Sequence, residues 1–192
     1  MNVSGVMTCS RIVFGPLFIV CFLNFGWAGK ACALLLAVLI ELTDVLDGPV
    51  ARRRGEVSDL GRFLDPFADS ISRMSVFLAL FAAGLAEVWM VAVIFYRDML
   101  VAYVRIWSMW HGVVQAARVS GKIKAAVQGV GILVICIAAL AAALDCLDGD
   151  LADVITWWIM LVVMVATAVS GIEYAAGLRH LRSSRPGGAD KA

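Results

Sequence analysis

Charge is scarce in this chain. Only 16% of its 192 residues are Asp, Glu, Lys or Arg, where a soluble domain carries about 25%. Apolar residues make up 62% against a usual ~45–50%, and mean hydropathy is +0.91. The shortage of charge excludes an ordinary soluble protein. Net charge is only +1 at pH 7, so no broad basic surface offers itself and no nucleic-acid partner is expected. Cysteine is sparse and unpatterned: Cys9, Cys21, Cys32, Cys136 and Cys146 are odd in number, with no C-x-x-C spacing. That argues against a disulfide framework and against a zinc site. No internal repeat and no long polar stretch divides the chain. A single domain over 1–192 is expected, with a short disordered tail at about 183–192, where Ser183-Ser184-Arg185-Pro186-Gly187-Gly188 stands.

What is present is apolar sequence in six runs, at roughly 11–28, 31–49, 66–85, 88–110, 124–144 and 154–176. Each approaches the ~20 residues needed to cross a ~30 Å hydrocarbon core. The expected fold is all-α, an integral membrane bundle of six transmembrane helices. The first run is longer than a signal-peptide core and no A-x-A site closes it, so it reads as a span. Lys and Arg set the orientation. Arg52, Arg53, Arg54 and Arg62 fill one loop, Arg118, Lys122 and Lys124 another, and Arg179, Arg182, Arg185 and Lys191 the tail. The alternate loops hold Lys30 alone, no base at 86–87, and Asp145, Asp148, Asp150 and Asp153. Both termini and the basic loops are expected in the cytoplasm.

The polar residues gather between 44 and 69. Asp44 and Asp47 stand i, i+3 and Asp65 and Asp69 stand i, i+4, so each pair shares one helical face. Thirteen residues, Ala31 to Thr43, precede Asp44 and cover roughly 20 Å as helix. Asp69 lies about sixteen residues, or roughly 24 Å, from the outer end of its span. The pairs are expected to meet at similar depth, in a cavity open to the cytoplasm. Four carboxylates cannot all stay ionised in a low dielectric without cations. All-oxygen ligands suit Mg²⁺, Mn²⁺ or Ca²⁺, and a two-metal site is the natural reading. Gly48, Ala51 and Gly61 would let a bulky group approach the backbone, and the planar fork of Arg52 could bridge phosphate oxygens. Gly48-Pro49 also reads as a helix end. Arg97, nine residues into its span, is expected to pair with Asp98 or a site carboxylate. Glu41 has no assigned role.

The string D-x2-D-G-x2-A-R-x8-G-x3-D-x3-D stands complete at Asp44, Asp47, Gly48, Ala51, Arg52, Gly61, Asp65 and Asp69. Eight fixed positions match by chance at on the order of one start in 10^10. The string is similar to the signature of the CDP-alcohol phosphotransferases. Thr8-x2-Arg11-x4-Pro16, Arg97-Asp98 to Arg105, and Gly121-Lys122-Ile123-Lys124 with Gln128 resemble the branch of bacterial phosphatidylglycerophosphate synthases. Two positions depart from that branch. Ser70 stands where a Lys is often found, and Asp98 where a Glu is. Both leave the four aspartates untouched and bear on the acceptor.

The resemblance implies that CDP-diacylglycerol loses CMP to a small polar alcohol. Asp44, Asp47, Asp65 and Asp69 would hold the metals, and Asp69 would be the base. Gly48, Ala51, Arg52 and Gly61 would hold the cytidine diphosphate. The expected acceptor is glycerol 3-phosphate, with Arg105, Lys122 and Lys124 as its phosphate partners. Inositol phosphate, serine and other alcohols are alternatives. The family implies a homodimer in a bacterial-type inner membrane, with the active site facing the cytoplasm. Ala82-Ala83-Gly84 offers a small-residue face for such contact. A divalent-cation transporter would also use intramembrane carboxylates, but the missing repeat stands against it.

Overall fold

A computed structural model describes the backbone of residues 3–54, 59–110 and 119–183, with side chains over 9–45, 67–104, 121–174 and at 176. Among the described residues there are six helices and no strand: α1 (Val3–Leu23), α2 (Gly26–Arg54), α3 (Asp59–Ala82), α4 (Val88–Trp110), α5 (Val119–Ala143) and α6 (Gly149–Ser183). The sequence places all six elements, but several boundaries move.

The first turn falls earlier than the sequence suggests. Phe25 and Gly26 take left-handed φ values of 66° and 52°, which breaks the chain after Leu23. Gly29 and Lys30, expected as the turn, sit inside α2, with the Gly29 amide donating to the Phe25 carbonyl at 3.1 Å. A Cβ on Gly29 would run into the backbone oxygens of Cys21 and Asn24, so glycine is what lets α2 start against the end of α1. Gly48-Pro49, expected to end a helix, does not: α2 continues through it to Arg54.

The other ends follow ordinary capping chemistry. Gly84, at φ 75°, turns the chain out of α3, with the Leu85 amide on the Leu80 carbonyl at 2.9 Å. Ala82-Ala83-Gly84 is therefore a helix terminus rather than a stretch within a helix. Asp145, at φ 56°, closes α5 in the same way. In the acidic loop, Asp148 Oδ1 accepts the Asp150 amide at 2.8 Å and caps α6.

α1 packs along α2 and α3, α5 along α6 and α2, and α4 along α6 and α3. Phe18 stacks on Phe22 with ring centroids 5.4 Å apart. Around them lie Leu36, Phe77, Leu80, Met90, Ile94, Ile132, Ile135 and Met160, all buried. The outer faces are apolar too: Val13, Leu17 and Val20 on α1, and Val154, Trp158, Val162 and Val169 on α6, are exposed. Apolar side chains on both faces of a helix suit a hydrocarbon surround. Gly121–Ala143 and Gly149–Tyr174 are each long and apolar enough to cross a membrane.

Candidate active site

Two of the four expected carboxylates, Asp44 and Asp69, converge on a residue the sequence reading passed over. On α2, Glu41 and Asp44 lie i, i+3, one face of the helix. On α3, Asp69 and Arg73 lie i, i+4. Arg73 donates from Nε to Asp69 Oδ1 at 2.8 Å, and from Nη2 to Asp44 Oδ2 at 3.0 Å and Glu41 Oε2 at 3.3 Å. Its Nη1 reaches α5, donating to the Ala125 carbonyl at 3.1 Å and Gln128 Oε1 at 3.3 Å. One guanidinium thus ties together α2, α3 and α5.

Arg73 is 2% exposed, while the side chains of Asp44 and Asp69 are each 32% exposed. The carboxylates are partly exposed and the guanidinium is buried. The other oxygen of Asp44, Oδ1, accepts from Arg11 Nη1 of α1 at 2.8 Å, and Arg11 is almost wholly buried. A buried arginine is costly unless paired, and pairing with the aspartates meets that cost. Gln128 carries the polar chain onward. Its Nε2 donates to Thr167 Oγ1 at 3.0 Å, and Thr167 donates to the Val163 carbonyl at 2.7 Å on α6.

A second polar cluster joins α4, α5 and α6. Asp98 accepts Lys124 Nζ on both oxygens, at 2.8 and 2.9 Å, and Arg97 Nη1 at 3.0 Å. Arg97 Nη2 donates to Ser170 Oγ at 2.6 Å. The pairing of Arg97 with Asp98 is the one the sequence suggests. Lys124 is buried inside this cluster, whereas Lys122, two positions away, is exposed. Residues i and i+2 on a helix do not share a face, so the described structure does not bring these two acceptor candidates together.

Asp47, Gly48, Ala51 and Arg52 lie on α2, Gly61 and Asp65 on α3, and Arg105 on α4. Their side chains are outside the described residues. Among the described residues no three His, Cys, Asp or Glu side chains gather as a metal set. The residues present nevertheless fit a divalent cation. Asp44 and Asp69, from two helices, already reach one common cation, the Arg73 guanidinium, and carboxylate oxygens are the donors that hard cations take. Glu41, Asp44 and Asp69 also outnumber Arg11 and Arg73 before Asp47 and Asp65 are counted.

Sequence reasoning missed Arg73 and left Glu41 without a role. A signal existed for both. Arg73 is the lone base of the 66–85 run, one turn beyond Asp69, and Glu41 is one turn before Asp44 on the same face.

A family model described as CDP-alcohol phosphatidyltransferase matches residues 1–169. The chain is 30% identical over 185 residues to the CDP-diacylglycerol–glycerol-3-phosphate 3-phosphatidyltransferase of Bacillus subtilis (strain 168), covering 90% of this chain and 93% of the relative. It is 34% identical over 134 residues to the protein of the same name from Sodalis glossinidius (strain morsitans), covering 67% and 72%. A probable phosphatidylglycerophosphate synthase of Mycobacterium tuberculosis (strain ATCC 25618 / H37Rv) is 28% identical over 178 residues, covering 91% and 80%.

Proposed function

Because the chain belongs to the CDP-alcohol phosphatidyltransferase family, we propose that it moves a phosphatidyl group from CDP-diacylglycerol to glycerol 3-phosphate. CMP leaves and phosphatidylglycerol phosphate forms. The names of relatives aligned over most of their length support this acceptor. The observation that carries the site is the convergence of Asp44 and Asp69, from two helices, on one buried cation position.

In this reading Asp44, Asp47, Asp65 and Asp69 hold two divalent ions, Mg²⁺ or Mn²⁺. When bound, such ions neutralise the diphosphate and stabilise the departing phosphate. Gly48, Ala51 and Gly61 let the cytidine diphosphate lie close to backbone, and Arg52 forks onto its oxygens. The acceptor oxygen attacks the phosphorus that carries diacylglycerol, and the bond from that phosphorus to the CMP oxygen breaks. Asp69 takes the hydroxyl proton. Lys124, Lys122 and Arg105 at the ends of α4 and α5 supply the charge that a phosphate monoester seeks.

The protein is placed in the inner membrane, with six spans, both termini and the site on the cytoplasmic side, and the donor's acyl chains left in lipid. The apolar outer faces and the basic loops support that placement. A homodimer accompanies it. The test offers purified protein CDP-diacylglycerol with glycerol 3-phosphate, inositol phosphate, serine or inositol in parallel, with Mn²⁺ or Mg²⁺. Phosphatidylglycerol phosphate should be the dominant lipid and CMP release should depend on metal. A dominant serine or inositol product would overturn the acceptor, and no CMP release with any acceptor would overturn the activity.

A further inference from the structure

We infer that Arg73 and Glu41 work as a paired positioning device for the metal site: Arg73 holds the cation position between Asp44 and Asp69 when metal is away, and Glu41 keeps Arg73 in place when metal claims those aspartates. The inference rests on the metal reading above. Its geometry comes from five contacts of one guanidinium. Two go to Asp44 and Asp69, the carboxylates assigned to metal. The other three go to Glu41, the Ala125 carbonyl and Gln128, which lie outside that set. If the aspartates turn away, Arg73 keeps three acceptors on α2 and α5, and only one of them, Glu41, carries charge.

Glu41 is built for this. Its Oε2 takes Arg73 at 3.3 Å, the longer kind of contact. Its Oε1 is buried with no hydrogen-bond partner among the described residues. A guanidinium released by Asp44 can move onto that oxygen and make the two-pronged pair that arginine and carboxylate favour. Gly129 on α5 leaves the room. A Cβ there would collide with the Glu41 carboxylate, so the glycine is where the acid fits between α2 and α5.

Arg73 thus has a double effect. Without metal it neutralises carboxylates that would otherwise repel one another in a poorly screened cavity. Toward metal it is a competitor, since its positive charge and its hydrogen bonds must yield Asp44 and Asp69. Glu41 acts with the opposite sign, because it stabilises the state in which Arg73 has yielded. Neither residue touches substrate in this scheme, and both act through the aspartates.

The test measures Mn²⁺ affinity of the purified full chain in detergent, from the electron paramagnetic resonance signal of free Mn²⁺. Arg73→Met should bind Mn²⁺ about tenfold more tightly, the scale of one charge-assisted contact no longer contested, and should melt at a lower temperature than wild type in chelator. Arg73→Lys should restore the metal-free melting temperature in part. Glu41→Gln should bind Mn²⁺ about tenfold more weakly. In the Arg73→Met background the Glu41→Gln change should weaken binding no further. A plain through-space effect of the lost acid would persist there and would overturn the device. Shifts of the same sign in both single variants, or none, also overturn it while leaving the metal site standing. If Arg73→Met does not fold, Glu41→Gln decides alone, and an affinity equal to or above wild type refutes the inference. A wild-type chain that binds no Mn²⁺ removes the metal reading and the inference with it.

Discussion

Lys124 and Asp98 face each other across α4 and α5, with the ammonium 2.8 and 2.9 Å from the two carboxylate oxygens. Arg97 shares the same carboxylate. An incoming phosphate has to compete with Asp98 for that lysine, or bind beside it. On the proposed reading, the lysine's charge contributes to acceptor binding in either case. Lys124→Ala should lower kcat/KM for glycerol 3-phosphate at least about tenfold, since a charge-assisted contact is worth about 1.5–3 kcal/mol. Because the lysine is buried, circular dichroism must first confirm that the variant is folded. A folded variant with unchanged kcat and KM would make Lys124 a structural partner of Asp98 only.

Asp69→Asn tests the base. The amide oxygen can still accept from Arg73 Nε, which now bonds the carboxylate at 2.8 Å, so the α3 geometry should persist. Turnover should fall by about 10²–10⁴-fold, the usual contribution of proton removal. Binding of CDP-diacylglycerol, followed by equilibrium dialysis, should largely survive. Turnover near the wild-type rate would assign the proton to another group.

Arg11 is the anchor of Asp44 from α1, at 2.8 Å. Arg11→Met should destabilise the protein by about 1.5–3 kcal/mol. Asp44 would keep Arg73, so the helices should still assemble. Thermal unfolding in detergent, monitored by tryptophan fluorescence, reads this directly. A melting temperature equal to wild type would show that Arg73 alone suffices for Asp44.

Topology has its own test. In a background where all five cysteines are replaced, Ser58→Cys should react with a membrane-impermeant maleimide only after the cells are opened. Gly149→Cys, at the start of α6, should react in intact cells. The basic and acidic loops demand this arrangement. Reaction of Ser58→Cys in intact cells would refute the cytoplasmic site.

The helices were legible because each is an apolar run bounded by charge or glycine. The shifted turn at Phe25 was not, because a left-handed aromatic residue carries no compositional mark. Nor was the passage of α2 through Gly48-Pro49, where two residues that usually stop a helix are overridden. Spacing singled out the aspartates, and the described structure brings two of them, Asp44 and Asp69, to Arg73. Their partners were not legible, since Arg11, Arg73 and Gln128 are scattered through three helices and only packing brings them to one place. Lys122 and Lys124 looked alike in sequence. Helical phase turns one out and the other in.

The chain of donors from Arg73 through Gln128 and Thr167 to the Val163 carbonyl has a mechanical meaning. Apolar surfaces slide over one another at little cost, because a methyl group finds another neighbour after a small rotation. A hydrogen bond has no such tolerance, and hydrocarbon offers no replacement partner. Each link in this chain therefore acts as a detent, fixing how far α5 and α6 can turn about their own axes. The lipid-facing positions are left to vary in size and shape, while the angular setting of the helices stays indexed to the aspartates.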